Sequence, residues 1–287
     1  NPVAVPRKYL IDEKNCKRLV QGGKICGICE KLCTQGAINF EDKEELISFN
    51  VDTIITATGY ELFDPEKKPV YGFGKYSNVL TALQLERIIA TGSSGPPLKP
   101  IGKRVAFIQC VGSRDEQVDR ENCSRICCMY ATKLAQLLKR LDPSRDIYIF
   151  YTDLRAYGKG FEEYYKRAQN AGIKYIRGRV AEIREDPQSK KLHILSEDTL
   201  SRKMIEGEFD LVVLSTGIVP SSGSEQIADI LKLARSADGF LQEAHPKFRP
   251  VDTLIDGVFI AGCAQGPKDI PDSVAQGSAS ASRAMRL

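Results

Sequence analysis

Cys16, Cys26, Cys29 and Cys33 stand in the pattern C-x9-C-x2-C-x3-C, a spacing that can close four thiolates around one metal centre. A C-x2-C pair points two sulfurs at the same centre from a single turn. Bacterial ferredoxins use a tighter C-x2-C-x2-C-x3-C run followed by proline. Here the first gap is longer and Thr34 takes the proline's place, while TQGAINF after Cys33 keeps a ferredoxin-like tail. Structural zinc accepts the same pairs of thiolates, so spacing alone leaves cluster and zinc both open and favours the cluster.

A second group, Cys110, Cys123, Cys127 and Cys128, reads C-x12-C-x3-C-C. The expected helix from about Cys123 to Leu141 puts Cys123 and Cys127 one turn apart on one face and turns Cys128 aside by about 100°. Adjacent cysteines suit a zinc knuckle poorly. A cubane is larger than one ion and takes more widely separated thiolates. Free cysteines are often plain core residues, but four within nineteen positions argue against that here. Cys263 is left alone near the end.

The bulk properties exclude more than they assign. Net charge is +4, from 41 basic and 37 acidic residues, too small an excess to point to nucleic acid. No apolar run reaches the ~18 residues of a membrane span. The opening NPVAVPRKYLIDEKNC lacks the apolar core of an export signal. An odd number of clustered cysteines without such a signal fits metal or redox work in a reducing cytoplasm better than disulfides. The absent initiator Met leads us to expect numbering that starts inside a longer gene product.

These thiols need elements to place them. RVAFIQ (104–109), DIYIFY (146–151), IKYIRG (173–178) and DLVVLSTGIVPSS (210–222) read as strands, and 123–141 and 158–172 as helices. On the first of these helices, Ile126, Tyr130, Leu134, Leu137 and Leu141 are expected on one face. Strands alternating with helices predict a parallel sheet with crossovers. AEIRE and KLHILSE read as an antiparallel pair. VDTIITATGY (51–60) is expected to be a buried strand with a glycine turn, 81–92 a helix, and SSGPPLKPIGK (93–103) the clearest boundary. VDTIITATGY and FDLVVLSTGIVP echo each other, as two nucleotide-binding-type domains would, or as any buried strand entering a turn would. The expected division is a cluster module over 1–45, an FAD-domain segment over 46–98, a Rossmann-like second domain carrying a cluster over 99–222, and a return to the FAD domain over 223–287.

Ligands in a doubly wound sheet bind beyond the carboxyl ends of the strands. After 104–109 the dinucleotide fingerprint G-x-G-x-x-G is absent, and CVGSRDEQVDRENCSRICC stands there instead. A cluster in that position predicts no NAD(P) binding by this domain. Two late motifs match two-domain flavoproteins: Ala57-Thr58-Gly59, and Gly257-Val258-Phe259-Ile260-Ala261-Gly262. The Asp that usually ends the second motif is Cys263. A helix opening near Pro271 would aim its positive end at the flavin's pyrimidine edge. Thr58, Gly59, Gly262, Cys263, Lys268, Asp269, Ile270 and Ser273 are therefore the expected flavin contacts. Lys268 is the candidate catalytic residue, its alternative being a solvated surface lysine. No G-x-G-x-x-G exists anywhere for the ADP half of FAD.

IQCVGSRD, CSRICCMYATK, IFYTDLRAYGKGFEEYY, PVDTLIDGVFIAGCAQGPKDIPDSVAQGSASA and the opening cysteine module resemble the A-type subunits of heterodisulfide reductases. The resemblance runs over essentially the whole chain and matches the middle of a longer family sequence. It implies an α/β, thioredoxin-reductase-like two-dinucleotide-binding-domain flavoprotein fold, present in part, with an inserted ferredoxin-like module. It implies FAD and two [4Fe-4S] clusters, one on Cys110, Cys123, Cys127 and Cys128 and one on Cys16, Cys26, Cys29 and Cys33. It further implies partner subunits of such a complex, ferredoxin or hydrogenase-type electron partners, and in methanogens a flavin that splits electron pairs, with the disulfide chemistry on a partner subunit. A homodimer is left open. Against this stand a nicotinamide-dependent thioredoxin-reductase-like enzyme using Cys26 and Cys29, and a zinc-stabilised scaffold.

Overall fold

The computed structural model describes residues 11–22, 26–41, 46–91 and 101–286, and it divides into two compact units, Asn1–Val51 and Asp52–Leu287. The smaller unit holds two short helices, α1 (Lys17–Val20) and α2 (Ile28–Leu32). None of its described residues is buried, and Val20, Ile28 and Leu32 are exposed. Its described contacts are few: Arg18 pairs with Glu30 at 2.5 Å and lies over the Phe40 ring at 4.1 Å. Buried apolar surface is the main driving force of folding, and in small units a bound metal can add to it.

The larger unit is built on a five-stranded sheet. In chain order its elements are β1 (Ile54–Thr56), β2 (Tyr60–Leu62), β3 (Val79–Thr81), α3 (Ala82–Thr91), β4 (Arg104–Val111), α4 (Cys127–Leu141), β5 (Asp146–Tyr151), α5 (Phe161–Asn170) and β6 (Lys174–Arg177). These are followed by β7 (Val180–Glu185), β8 (Leu192–Asp198), β9 (Lys203–Phe209), β10 (Leu211–Thr216), β11 (Ile218–Pro220), α6 (Ser224–Leu231), β12 (Val258–Ile260) and α7 (Ile270–Ala284). The main sheet runs β3-β10-β4-β5-β6 with every pair parallel.

Period-two alternation sorts the apolar residues of β4 into two layers. Val105 and Phe107 pack with Leu85, Ala131, Leu134, Ala135 and Leu138, under α3 and α4. Ala106 and Ile108 pack with Leu192, Ile194 and Phe209, under the antiparallel sheet β7-β8-β9. Both faces are thus covered, as a parallel sheet requires. Phe107 is wholly buried, a burial that stabilises the unit by about 1.5–3 kcal/mol.

Several expectations are corrected. α4 begins at Cys127, not at 123, because Arg125 is left-handed with φ +60° and no helix can run through it. Cys123 therefore lies in the preceding loop, and the one-turn relation to Cys127 fails. The buried face of α4 is Ala131, Leu134, Ala135 and Leu138, with Leu141 exposed. β1 is not a buried strand: it pairs with β12 only, and of its residues Thr56 alone is buried. The boundary expected at 93–103 falls largely outside the described residues. Strands on either side of it, β3 and β4, flank β10 in one sheet. The echo between the two Thr-Gly stretches has a spatial counterpart. β2 and β11, which follow the two turns, pair antiparallel, and the Phe63 N–H donates to the Gly217 carbonyl at 2.8 Å.

Gly217 is there because nothing larger fits. An added Cβ would lie 2.5 Å from the Gly112 carbonyl oxygen and 3.0 Å from Ser124 Oγ. Both neighbours belong to the cysteine-bearing loop. Gly217→Ala is expected to cost ~1–3 kcal/mol, as overpacking does, read as a lower urea midpoint with an unchanged m-value.

Candidate metal centre and flavin site

Cys110 sits at the carboxyl end of β4, where the ladder is irregular. Ile108 pairs with Leu214 and Val111 with Thr216, so Gln109 and Cys110 together face Ser215. The extra residue is a β-bulge, a device that re-aims a side chain beside a site. Cys110 takes φ +60°, which a non-glycine residue rarely adopts. Arg114, Asp119 and Arg125 in the following loop are also left-handed. Backbone held this way in one short stretch marks a loop shaped for a purpose other than stability.

The four middle thiols converge. The Cys127 thiol donates to the Thr216 carbonyl at 3.8 Å, at the end of β10, and the Cys128 thiol to the Asp153 carbonyl at 3.7 Å, past the end of β5. The Arg125 N–H donates to Cys123 Sγ at 3.3 Å. Cys123 lies close enough to affect the ionisation of Cys110, Cys127 and Cys128. Burial pushes the Cys110 thiol up against the pull of Arg114, pushes Cys127 far up, and raises Cys128 to about 11. Unligated thiols with such values stay protonated at neutral pH and are poor nucleophiles. A metal must displace those protons to bind. All nine cysteines are free of disulfides.

Among the described residues no three His, Cys, Asp or Glu side chains stand together as a metal-ion site; four thiolates are the donor set that an iron–sulfur cluster takes. Arg114 Nη2 bonds Asp153 at 2.8 Å, but its Nη1 is buried without a hydrogen-bond partner. That guanidinium responds to the charges of Cys110 and Cys123, so an anionic sulfide acceptor beside those thiols would satisfy the orphaned donor. Arg179 also lies near Cys110. Positive charge and N–H donors around a cluster raise its potential.

In the smaller unit, Cys16 precedes α1 and Cys26 stands just before α2. Cys29 lies on α2 and is exposed, and Cys33 caps the end of that helix. Around Cys33 the chain turns so that backbone N–H groups face sulfur. The Ala37 N–H donates to Cys33 Sγ at 3.3 Å, and with the Gln35 and Gly36 amides it lowers the Cys33 pKa. Amides arranged in this way form a concavity for an anion, here a thiolate.

The expected flavin residues gather at the β1 and β12 ends. Thr58 Oγ1 lies 3.3 Å from Ser224 Oγ, tying the first turn to α6. Gly59 has φ +72° and Gly262 φ +65°; a Cβ would meet nothing within 4 Å at the first and only Ser273 at 3.9 Å at the second. Both turns thus leave open space for a flat group to approach backbone. Asp269 caps α7, its carboxylate accepting the Asp272 N–H at 2.8 Å, and the Ser273 hydroxyl donates to the Asp269 carbonyl at 2.7 Å. Ile270 is exposed beside this terminus. The Cys263 thiol donates to the Lys268 carbonyl at 3.6 Å. Lys268 is half-buried, and burial lowers its pKa, with Arg125 adding to the effect against Cys263. These residues fit the ring end of a flavin.

Sequence reasoning missed three residues. Burial raises the Tyr60 pKa, and the charges of Cys263, Cys127 and Glu86 add to that. Arg114 and Arg125 flank the thiols. The only signal available was an arginine within a few positions of a cysteine in CVGSRD and CSRICC.

No family model matches the chain. Over 290 residues, 99% of the chain, it is 52% identical to the A-type subunit of the H(2):CoB-CoM heterodisulfide,ferredoxin reductase of Methanothermobacter thermautotrophicus, covering 43% of that protein. It is 52% identical over 97% of its length to the A-type iron-sulfur subunit of the CoB--CoM heterodisulfide reductase of Methanocaldococcus jannaschii, covering 42% of it. Thioredoxin reductases share the fold: that of T. acidophilum superposes with a TM-score of 0.51 at 18% identity, over 82% of this chain and 65% of that one. The Lactococcus lactis enzyme gives 0.51 at 20% identity over the same shares. The chain thus spans about two fifths of the length of the curated relatives it matches. With about half of its residues identical to theirs over nearly its whole length, it belongs to the family of heterodisulfide reductase A-type subunits.

Proposed function

We propose that this chain is an electron-transfer segment of a heterodisulfide-reductase-type complex, carrying two [4Fe-4S] clusters and contributing to an FAD site. The observation that carries the reading is the middle site: four thiols at the carboxyl ends of β4, β5 and β10, where a nicotinamide cofactor would otherwise lie, with an orphaned arginine donor beside them. When bound, flavin supplies two-electron chemistry and the clusters one-electron steps. The chain supplies position and charge. Cys110, Cys123, Cys127 and Cys128 hold one cluster, with Arg114 and Arg179 offsetting its negative charge. Cys16, Cys26, Cys29 and Cys33 hold the other. The α7 terminus and Lys268 favour negative charge at the flavin's pyrimidine edge, and Lys268, its pKa lowered by burial, holds a proton it can release there. Other subunits of the complex, with ferredoxin or a hydrogenase-type donor, are the partners, in the cytoplasm. Splitting of electron pairs at the flavin belongs to the same reading. Among the described residues no helix is long and apolar enough to cross a membrane.

Metal analysis of anaerobically purified protein tests this. Iron and acid-labile sulfide near eight each per chain are expected, at roughly four per cubane. Bound zinc without sulfide overturns the proposal.

A further inference from the structure

Arg125 makes contacts with both the cysteine loop and the first turn of α7. Its backbone, left-handed at φ +60°, presents its N–H to Cys123 Sγ at 3.3 Å. Its side chain leaves the cysteine loop for α7. Nη2 bonds Asp272 Oδ2 at 2.6 Å, and Nη1 reaches the Pro267 carbonyl at 3.4 Å. Nε donates to the Tyr157 hydroxyl at 2.7 Å, with the guanidinium 5.6 Å from the centre of that ring. Asp272 in turn belongs to the first turn of α7, where its own N–H is capped by Asp269. One residue thus links a sulfur of the middle site to the helix terminus beside Lys268 and Gly262.

Stability does not explain this arrangement. The ion pair is 36% exposed on the arginine side and 46% on the aspartate side, and pairs so open to water add little. A planar fork satisfied by three acceptors at once fixes geometry, which an ammonium cannot do. Electron transfer between two bound groups depends on their separation staying constant. We propose that Arg125 is a positioning residue, a strut that holds the first turn of α7 at a set distance from the Cys123 loop and places its positive charge between them. The inference rests on the cluster and flavin reading only for its purpose; the strut itself is a contact within the chain.

Amide hydrogen exchange tests the strut on the protein as purified, comparing wild type with Arg125→Gln, Arg125→Lys and Asp272→Asn. Exchange over 267–275 is expected to rise about three- to five-fold in all three variants, the scale of losing one local contact. In cluster-loaded protein the potential of the middle cluster is expected to fall in Arg125→Gln, which removes a positive charge, and to hold in Arg125→Lys, which keeps it. A merely structural arginine would not divide the two variants in this way. Asp272→Asn reads the same contact from the α7 side and leaves the cysteine loop intact, should Arg125→Gln fail to fold. Unchanged exchange in both Arg125→Gln and Asp272→Asn overturns the proposal. The exchange measurement needs no bound cofactor, so an iron-free preparation sinks the cluster reading while exchange alone still decides the strut.

Discussion

Cys127→Ala is expected to strip one cluster and leave the fold standing: iron and acid-labile sulfide drop from about eight to about four per chain, at roughly four per cubane. The visible absorbance of the oxidised protein falls by about half. Cys127 is buried, and burial raises its pKa further than that of Cys128. A cluster held by three thiolates there has no spare cysteine to recruit, because the proposal assigns Cys16, Cys26, Cys29 and Cys33 to the other cluster and Cys263 is turned to the Lys268 carbonyl. The fold persists because the layers around β4 are apolar without the thiols, from Val105 and Phe107 to Leu134 and Leu138. Circular dichroism matching wild type, together with the halved iron, is the expected pair of results. Full iron content in Cys127→Ala would show that the middle thiols are ordinary core residues.

Cys33→Ala is expected to behave differently, unfolding the smaller unit outright. No described residue of that unit is buried, so nothing apolar replaces the metal. Small domains of this kind gain their folding free energy from the metal they bind. On the proposed reading four thiolates anchor the two short helices, and the Ala37 amide points at the Cys33 sulfur. Removing Cys33 takes away both ligand and acceptor. Limited proteolysis is expected to cut rapidly within 11–41 while the product beginning near residue 52 survives. The product keeps the middle cluster, and iron again settles at about four per chain. A chain that resists protease with the first four cysteines changed would mean that this unit is held by something other than metal. Comparing the two variants separates a site that decorates a finished fold from a site that makes one.

Much of this was legible in the chain itself. The apolar runs of β4, β5 and β10 are local features, and each announced its element. What escaped was set by contacts between distant residues. Cys110 is re-aimed by a bulge that depends on how β4 registers against β10, more than a hundred positions later. The start of α4 moves to Cys127 because Arg125 is left-handed, and the bonds that accompany that geometry come from Asp272 and Tyr157. β3 is three residues long, too short to reveal that it joins the main sheet beside β10. The apolar run of β1 read as buried, yet Ile54 and Ile55 are exposed, because burial depends on which neighbours a strand has rather than on its composition. The likeness to thioredoxin reductase covers the fold alone. Its nicotinamide fingerprint has no counterpart after β4, where cysteines stand instead.

An iron–sulfur cluster on the middle thiols, where a dinucleotide-binding domain would hold its cofactor, is tested most directly by colour. The measurement is the visible spectrum of protein purified without oxygen, recorded before and after dithionite and again after NADPH. A brown spectrum that bleaches with dithionite, and that in Cys127→Ala is reduced to the contribution of the first cluster, is the predicted result. A colourless protein that binds and is reduced by NADPH would contradict it.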